Sequence, residues 1–177
     1  MAKLFLGHKI VSLFYISPEY EITKKKISLG VVLVLIAMQF YSPTKNISPG
    51  NHTQIFIKET NPSTDLKALF ETSCYDCHSN NTAYPWYNNV APISYWIDSH
   101  VKEGKQHLNF SEWETYSLVK KDHLLEEIEE MVVQENMPLT EYTYLHSNSK
   151  LTDKEVGEIV AWVKQTRIIY QLGKQPK

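Results

Sequence analysis

The two cysteines of this chain stand three residues apart, and a histidine follows the second one directly. Residues 72–80 read TSCYDCHSN and contain Cys74, Cys77 and His78. Residues three apart lie on the same face of a helical turn, so both thiols can reach a single ligand. A disulfide between them would close a loop too small to stabilise a domain of this size. The cluster therefore predicts a binding or redox site.

Three chemistries compete for this cluster. C-x-x-C-H is the attachment signature of c-type haem, in which both thiols bond to the porphyrin and the histidine binds iron. A zinc site needs four donors, usually a second Cys or His pair, and the downstream His100 and His107 are seven apart rather than three to five. A thioredoxin-like redox pair belongs in a βαβ unit, and the patterns below are helical. We expect one covalently attached haem c, with His78 as the proximal ligand.

Met137 is the preferred candidate for the second axial ligand of the iron. It lies in the segment ENMPL directly before Pro138, where a loop can present a thioether without disturbing a helix. His100 is the rival, because it falls on the apolar face of a predicted helix. Met131 is spaced as a helical core residue and is expected to fill the core instead.

Aromatic residues follow the motif closely. Among them, Trp86 and Tyr87 carry N–H and O–H groups that can donate a hydrogen bond to a haem propionate while their rings exclude water. Ordinary packing is the other interpretation of these side chains. Both are predicted as cofactor-binding residues.

Helical patterns dominate from Pro62 onward and predict an all-α fold. Ser63, Thr64 or Asp65 caps a first helix, whose apolar face leads to Cys74. A second helix begins after Pro92 and stops at Gly104. Capping boxes are predicted at Ser111 with Glu114 and at Thr152 with Glu155. An apolar stripe on the helix between these boxes includes Leu124 and Ile128, and residues 136–150 are predicted as a loop. QIFIKE, residues 54–59, is predicted as a short extended piece.

Length and charge limit the class of protein. The chain has 177 residues, 42% of them apolar, and a net charge of −2. This suits one domain with a tail. The charge, and the lack of a basic stripe with interleaved aromatics, argue against a nucleic-acid partner.

The N-terminal part carries a targeting pattern. Three lysines, residues 24–26, precede the uncharged apolar run 27–41. A basic cluster before an apolar run is typical of a signal peptide or signal anchor. The run is shorter than the roughly 20 residues of a transmembrane helix. No small-residue cleavage site follows it, which favours an uncleaved short anchor. We predict a single-pass inner-membrane protein whose haem domain faces the periplasm.

The predicted organisation follows from these features. Residues 1–23 are an extension without an assigned role, and residues 24–41 are the signal peptide or signal anchor. Residues 42–61 are a linker rich in Pro, Ser and Asn, residues 62–170 are the haem-binding domain, and residues 171–177 are a tail.

Four segments together resemble a known family. CYDCHSN, YPWYNNVAPISYW, HVKEGKQHLNFSEW and ENMPL are similar to the small haem-binding domain family common in Bacteroidetes, usually anchored by one N-terminal apolar segment. The resemblance covers roughly residues 50–170. It implies a cytochrome-c-like helical domain in the periplasm, with Cys74 and Cys77 as thioether sites and His78 as the proximal ligand. It also matches Met137 to the family's Met-Pro position, the implied distal ligand. It implies no particular redox partner.

The functional hypothesis is a one-haem electron carrier rather than an enzyme. Beyond the haem ligands, the sequence shows no Ser-His-Asp set, phosphate loop or paired-carboxylate motif. One alternative is a haem-based sensor or ligand-binding module, which needs an open or labile sixth position on the iron. A second alternative is a zinc-binding interaction domain without a redox role.

Overall fold

The described part of the chain is helical throughout. The computed structural model gives the backbone of residues 18–173 and the side chains of residues 22–173. Eight α-helices occur within these residues: α1 Pro18–Met38, α2 Gln54–Thr60, α3 Thr64–Ser73, α4 Tyr75–His78, α5 Ile93–His107, α6 Leu118–Val133, α7 Thr140–Leu145 and α8 Asp153–Gln171. Residues 18–173 contain no strand, only the isolated bridge between Ile47 and Asn81. The all-α prediction is confirmed.

The core is mostly aromatic, and α2 supplies its centre. Phe56 is fully buried. Four rings surround it at centroid distances between 4.6 and 5.9 Å, those of Phe70, Phe110, Trp113 and Trp162. Such edge-to-face and tilted pairs each add about 0.5–1.5 kcal/mol beyond their buried area.

The prediction of an extended piece at residues 54–59 is therefore wrong. Phe56 and Thr60 lie one helical turn apart, and both are buried. The helix ends at Asn61, whose φ of 44° turns the chain out of the helix. Since α2 lies within residues 42–61, the packed core begins inside the predicted linker, before residue 62.

A buried ion pair joins α2 to α6 and α8. The Lys121 ammonium donates to both carboxylate oxygens of Glu59 at 2.8 Å, and the Tyr170 hydroxyl donates to the same carboxylate at 2.7 Å. The Lys121 side chain is only 3% exposed. Removing either charge would leave the other buried without a partner, which typically costs about 3–5 kcal/mol.

Two of the predicted helix caps are present and one is not. The Ser63 hydroxyl accepts from the backbone N–H of Leu66, and Thr152 with Glu155 forms the predicted capping box. The capping box at Ser111 and Glu114 is wrong. That stretch lies in a 3₁₀ helix, Phe110–Thr115, capped by Asn109. The Ser111 hydroxyl is used elsewhere, accepting from the backbone N–H of Asn80 at 2.9 Å.

Three further predictions differ from the structure. The loop predicted at residues 136–150 contains α7 and a 3₁₀ turn, Ser147–Ser149. Met131 is 39% exposed and does not fill the core, whereas its helix buries Leu125 completely. The second predicted helix passes through Gly104 and ends at His107.

The helix α1 differs from the others in its surroundings. It begins before the Lys24–Lys26 cluster and presents apolar side chains to solvent on all its faces, including the consecutive residues 31–36. Within residues 18–173, no helix combines the length and apolar character that crossing a membrane requires. Parts of the predicted extension 1–23 and tail 171–177 lie outside the described residues.

Candidate functional site

The cysteine motif occupies the break between α3 and α4. Cys74 ends α3 and precedes α4. The backbone N–H groups of Cys77 and His78 both donate to the Cys74 carbonyl, at 3.2 and 3.0 Å. These bonds fold the motif into one helical turn, as the spacing predicts. Both cysteines are free thiols.

His78 is oriented by a hydrogen bond to a distant backbone group. Its Nδ1 lies 3.0 Å from the carbonyl oxygen of Leu108. A carbonyl oxygen only accepts hydrogen bonds, so Nδ1 carries the proton and Nε2 keeps the free lone pair. Metal-binding histidines commonly use this second-nitrogen bond to hold their orientation. Burial lowers the pKa of His78, which keeps the ring in the neutral form that binds metals.

Gly104 allows α5 to pack directly against the motif. A Cβ atom at this position would lie 2.8 Å from the carbonyl oxygen of Cys77 and 3.2 Å from its Cβ. The glycine is therefore required by close approach of two backbones, not by the end of a helix. This contact explains why α5 continues past a residue that the sequence pattern suggests as a stop.

Both thiols are held in their protonated form. Burial raises the pKa of Cys74 to about 12, with a further contribution from Cys77. Burial, together with the Asp76 carboxylate, raises the pKa of Cys77 to about 11. Disulfide-exchange enzymes and zinc sites use thiolates, and reactive cysteines have lowered pKa values. The surroundings of the pair therefore disfavour the redox-disulfide hypothesis, whereas a bound zinc ion would itself deprotonate the thiols.

The zinc hypothesis lacks further ligands in the part of the chain that the structure describes. No group of three or more His, Cys, Asp or Glu side chains within it is placed to hold a metal ion.

An apolar pocket opens beside Cys77. Its walls come from α4, α5, α7 and the loop after the motif, and they include Tyr87, His100 and Tyr142. The Tyr87 hydroxyl is buried and has no hydrogen-bond partner. A buried donor without an acceptor is costly, so this hydroxyl suits a ligand that carries an acceptor such as a carboxylate. The apolar walls and the unpaired donor suit part of a porphyrin and one propionate, while Cys74 and His78 are not among the residues that line this pocket.

Trp86 lies apart from this pocket. Its side chain is 80% exposed and does not line the pocket walls, although its ring contacts that of Tyr87. Tyr87 therefore lines the pocket and Trp86 does not, and the assignment of both as cofactor-binding residues stays a prediction.

The predicted distal ligand lies in the bend between α6 and α7. Met137 is half-buried, and its backbone N–H donates to the Met131 carbonyl at 3.2 Å. It is not among the residues that line the pocket, whereas its rival His100 is. The choice between Met137 and His100 as the sixth ligand stays a prediction.

Asp76 in the motif and Tyr142 on α7 are in contact, and the sequence analysis missed both. The Tyr142 hydroxyl lies 2.8 Å from Asp76 Oδ2, and the backbone N–H of Ala83 donates to Asp76 Oδ1 at 2.8 Å. Asp76 is one of the two variable positions in C-x-x-C-H, so the motif does not mark it. Asp76 can be recognised as part of the site only once the fold shows this polar residue among apolar neighbours in the pocket wall.

Comparisons with known proteins support haem binding. The model of the haem-binding domain family matches residues 33–165, so the chain belongs to that family. The chain is also 32% identical over 108 residues to the cytochrome c peroxidase Ccp of Escherichia coli (strain K12). That match covers 59% of this chain and 23% of the peroxidase. The search of solved structures gave no significant match. Haem binding, predicted from the motif, is thereby confirmed at the level of the family.

Proposed function

We propose that this chain binds one haem covalently through Cys74 and Cys77 and carries single electrons. The orientation of His78 is the observation that carries this proposal. Its Nδ1–H donates to Leu108, which leaves the lone pair of Nε2 free to bind iron, directly after Cys77 in the chain. The haem, when bound, supplies the one-electron chemistry of its iron.

The chain's own residues have distinct parts in this proposal. His78 is the proximal ligand, Met137 the distal ligand, and Tyr87 the donor to a propionate. The raised thiol pKa values leave both cysteines as thiols rather than thiolates, which slows their oxidation to a disulfide before attachment. The domain stands at the periplasmic face of the inner membrane, held there by the segment 24–41, and meets its redox partner proteins at that surface.

The test is the spectrum of the full chain expressed with the c-type maturation machinery. We expect a sharp reduced α-band, and pigment that stays with the polypeptide after acid and organic-solvent extraction. The matched control is the double variant Cys74→Ala and Cys77→Ala, whose pigment should wash free. Pigment that is extracted from the unaltered chain, or a protein that holds zinc and no iron, would refute covalent haem attachment.

A ligand-binding haem module is the second candidate function. The apolar pocket beside Cys77 would give a small ligand access to a haem held by the motif, and neither Met137 nor His78 is among the residues that line it. Carbon monoxide binding by the reduced protein as isolated would support this function over electron transfer. Peroxidase activity is not proposed, since the chain spans only 23% of the peroxidase that it resembles.

A further inference from the structure

Two uncharged segments of the chain meet at the end of α1. Residues 27–44 and residues 83–97 contain no Asp, Glu, Lys, Arg or His, in a chain where 21% of residues are charged. The first segment forms most of α1 and the turn after it. The second forms the 3₁₀ turn Trp86–Asn89 and the start of α5.

Specific hydrogen bonds fix this meeting. The Gln39 amide donates to the Ala91 carbonyl and accepts from the Ala91 N–H, both at 3.0 Å. The Tyr95 hydroxyl lies 2.8 Å from the Met38 carbonyl oxygen and 2.9 Å from that of Tyr41. The end of α1 is therefore attached directly to α5, and residues 42–53 do not act as a flexible spacer between them.

Large apolar side chains surround this junction and point into solvent. We call them the collar: Phe40 (89% exposed), Trp86 (80%), Tyr41 (70%), Val90 (42%) and Ile93 (40%). Exposed apolar patches on this scale mark surfaces that contact a partner or a membrane. Trp and Tyr side chains are enriched where a protein crosses the boundary between lipid and water.

The length of α1 indicates which partner covers the collar. Ile27–Met38 spans roughly 17 Å at 1.5 Å per residue, while the hydrocarbon core of a bilayer is about 30 Å thick. A short apolar helix is accommodated by thinning of the bilayer and by burial of flanking residues. At the N-terminal end of this segment, lysine side chains can reach the lipid headgroups. The collar lies at the other end.

We propose that the collar is a lipid-contacting surface, which seats the domain on the bilayer without a stalk. This inference rests on the part of the proposed function that places α1 in the membrane. Because the apolar part of α1 is short, insertion of that part brings the collar into the headgroup region, and the collar adds apolar surface that α1 lacks. Tyr87 and Trp96, next to the collar in the chain, line the pocket beside Cys77. The pocket therefore opens close to the membrane surface.

Hydroxyl-radical labelling of the full chain in phosphatidylethanolamine–phosphatidylglycerol discs tests the proposal. Two residues serve as references for the labelling yield. Trp113 is fully buried, and Tyr144, on α7 outside the collar, is 87% exposed. We expect Trp86 to be labelled several-fold less than Tyr144 and close to the level of Trp113. Labelling of Trp86 in proportion to its exposure would overturn the proposal. Protection in native membranes but not in lipid discs would also overturn it and would indicate a protein partner.

Vesicle flotation gives an independent measurement. The double variant Trp86→Lys and Val90→Lys should be retained several-fold less than the unaltered chain after an alkaline wash, and Tyr144→Lys should be retained fully. Equal retention of all three would overturn the proposal. Neither the labelling nor the flotation measurement requires bound haem. The extraction test of covalent attachment can therefore fail or succeed independently of them. If the pigment is covalent but the collar is not protected, only the lipid-contact proposal is refuted. If no pigment is attached, the proposed haem attachment is refuted, and the labelling result still tests the collar.

Discussion

The proximal and distal sides of the site are built very differently. On the proximal side, His78 is fixed by Leu108, and α5 packs against the backbone of Cys77 at Gly104. On the distal side, Met137 lies in a bend and is only half-buried. The following helix α7 is bonded to the motif region through Tyr142, which contacts Asp76 and the carbonyl of Thr72.

If His78 and Met137 are the two iron ligands, as proposed, this difference predicts separate roles for them. The proximal histidine is preorganised by backbone contacts that substitutions of surface residues cannot remove. The distal ligand depends on the position of one bend and one short helix. We therefore expect substitutions on the proximal side to affect whether haem is held at all. Substitutions on the distal side should tune what the held haem does.

The largest effect is expected for His78→Ala. Without the imidazole, the iron loses its proximal ligand, and the low-spin spectrum of the matured protein should disappear almost completely. His123→Ala is the matched control, because His123 is 64% exposed on α6 and contacts only neighbouring glutamates. A normal spectrum in His78→Ala would mean that another residue binds the iron from the proximal side.

Met137→Ala should leave the haem attached and change its chemistry. Loss of the thioether should abolish the weak near-infrared charge-transfer band of the oxidised protein and allow carbon monoxide to bind the reduced iron. Met131→Ala, six residues earlier and 39% exposed, should change neither property. If Met137→Ala keeps the band, the same measurement on His100→Ala tests the rival ligand.

Gly104→Ala tests the close contact on the proximal side. The new Cβ would meet the Cys77 carbonyl at 2.8 Å, and the backbone would have to shift. We expect a loss of about 1–3 kcal/mol in the free energy of unfolding, measured with denaturant on the holoprotein. Gly157→Ala on α8 is the matched control, since its Cβ would meet nothing within 4 Å. That variant should gain up to about 1 kcal/mol from helix propensity. Equal stability changes in both would show that α5 tolerates a wider separation from the motif.

The features that could be predicted from the sequence are those that depend on local periodicity and on the C-x-x-C-H motif. Helix α3 with its Ser63 cap, the capping box of α8 and the turn at Cys74–His78 all follow from residues close together in the chain. Local signals are sufficient there because the partners of each hydrogen bond are three or four residues apart.

The errors concern features that depend on distant partners. Phe56 lies in a helix too short to show a period, and its burial comes from rings of three other parts of the chain. Gly104 resembles a helix stop until the backbone of Cys77 is seen against it. Tyr142 and Asp76 are 66 residues apart, and nothing in either local sequence indicates their contact.

Tyr142→Phe gives the smallest expected effect and tests the one side chain that links the two sides of the site. The substitution keeps the ring and removes the hydroxyl that donates to Asp76. Burial and the Asp76 carboxylate raise the pKa of Tyr142, so the hydroxyl stays protonated and donates throughout the neutral range. Loss of the bond should cost roughly 1 kcal/mol of stability and loosen α7.

The informative measurement for Tyr142→Phe is the rate at which imidazole displaces the sixth ligand of the oxidised iron. If α7 holds the distal bend in place, this rate should rise several-fold while the covalent haem content stays unchanged. Tyr144→Phe removes a hydroxyl from the same helix at an exposed position and should leave the rate unchanged. Loss of stability without faster displacement of the sixth ligand would mean that Tyr142 has only a structural role. The distal ligand would then be held by the bend itself, through the backbone bonds of Asn136 and Met137 to Met131.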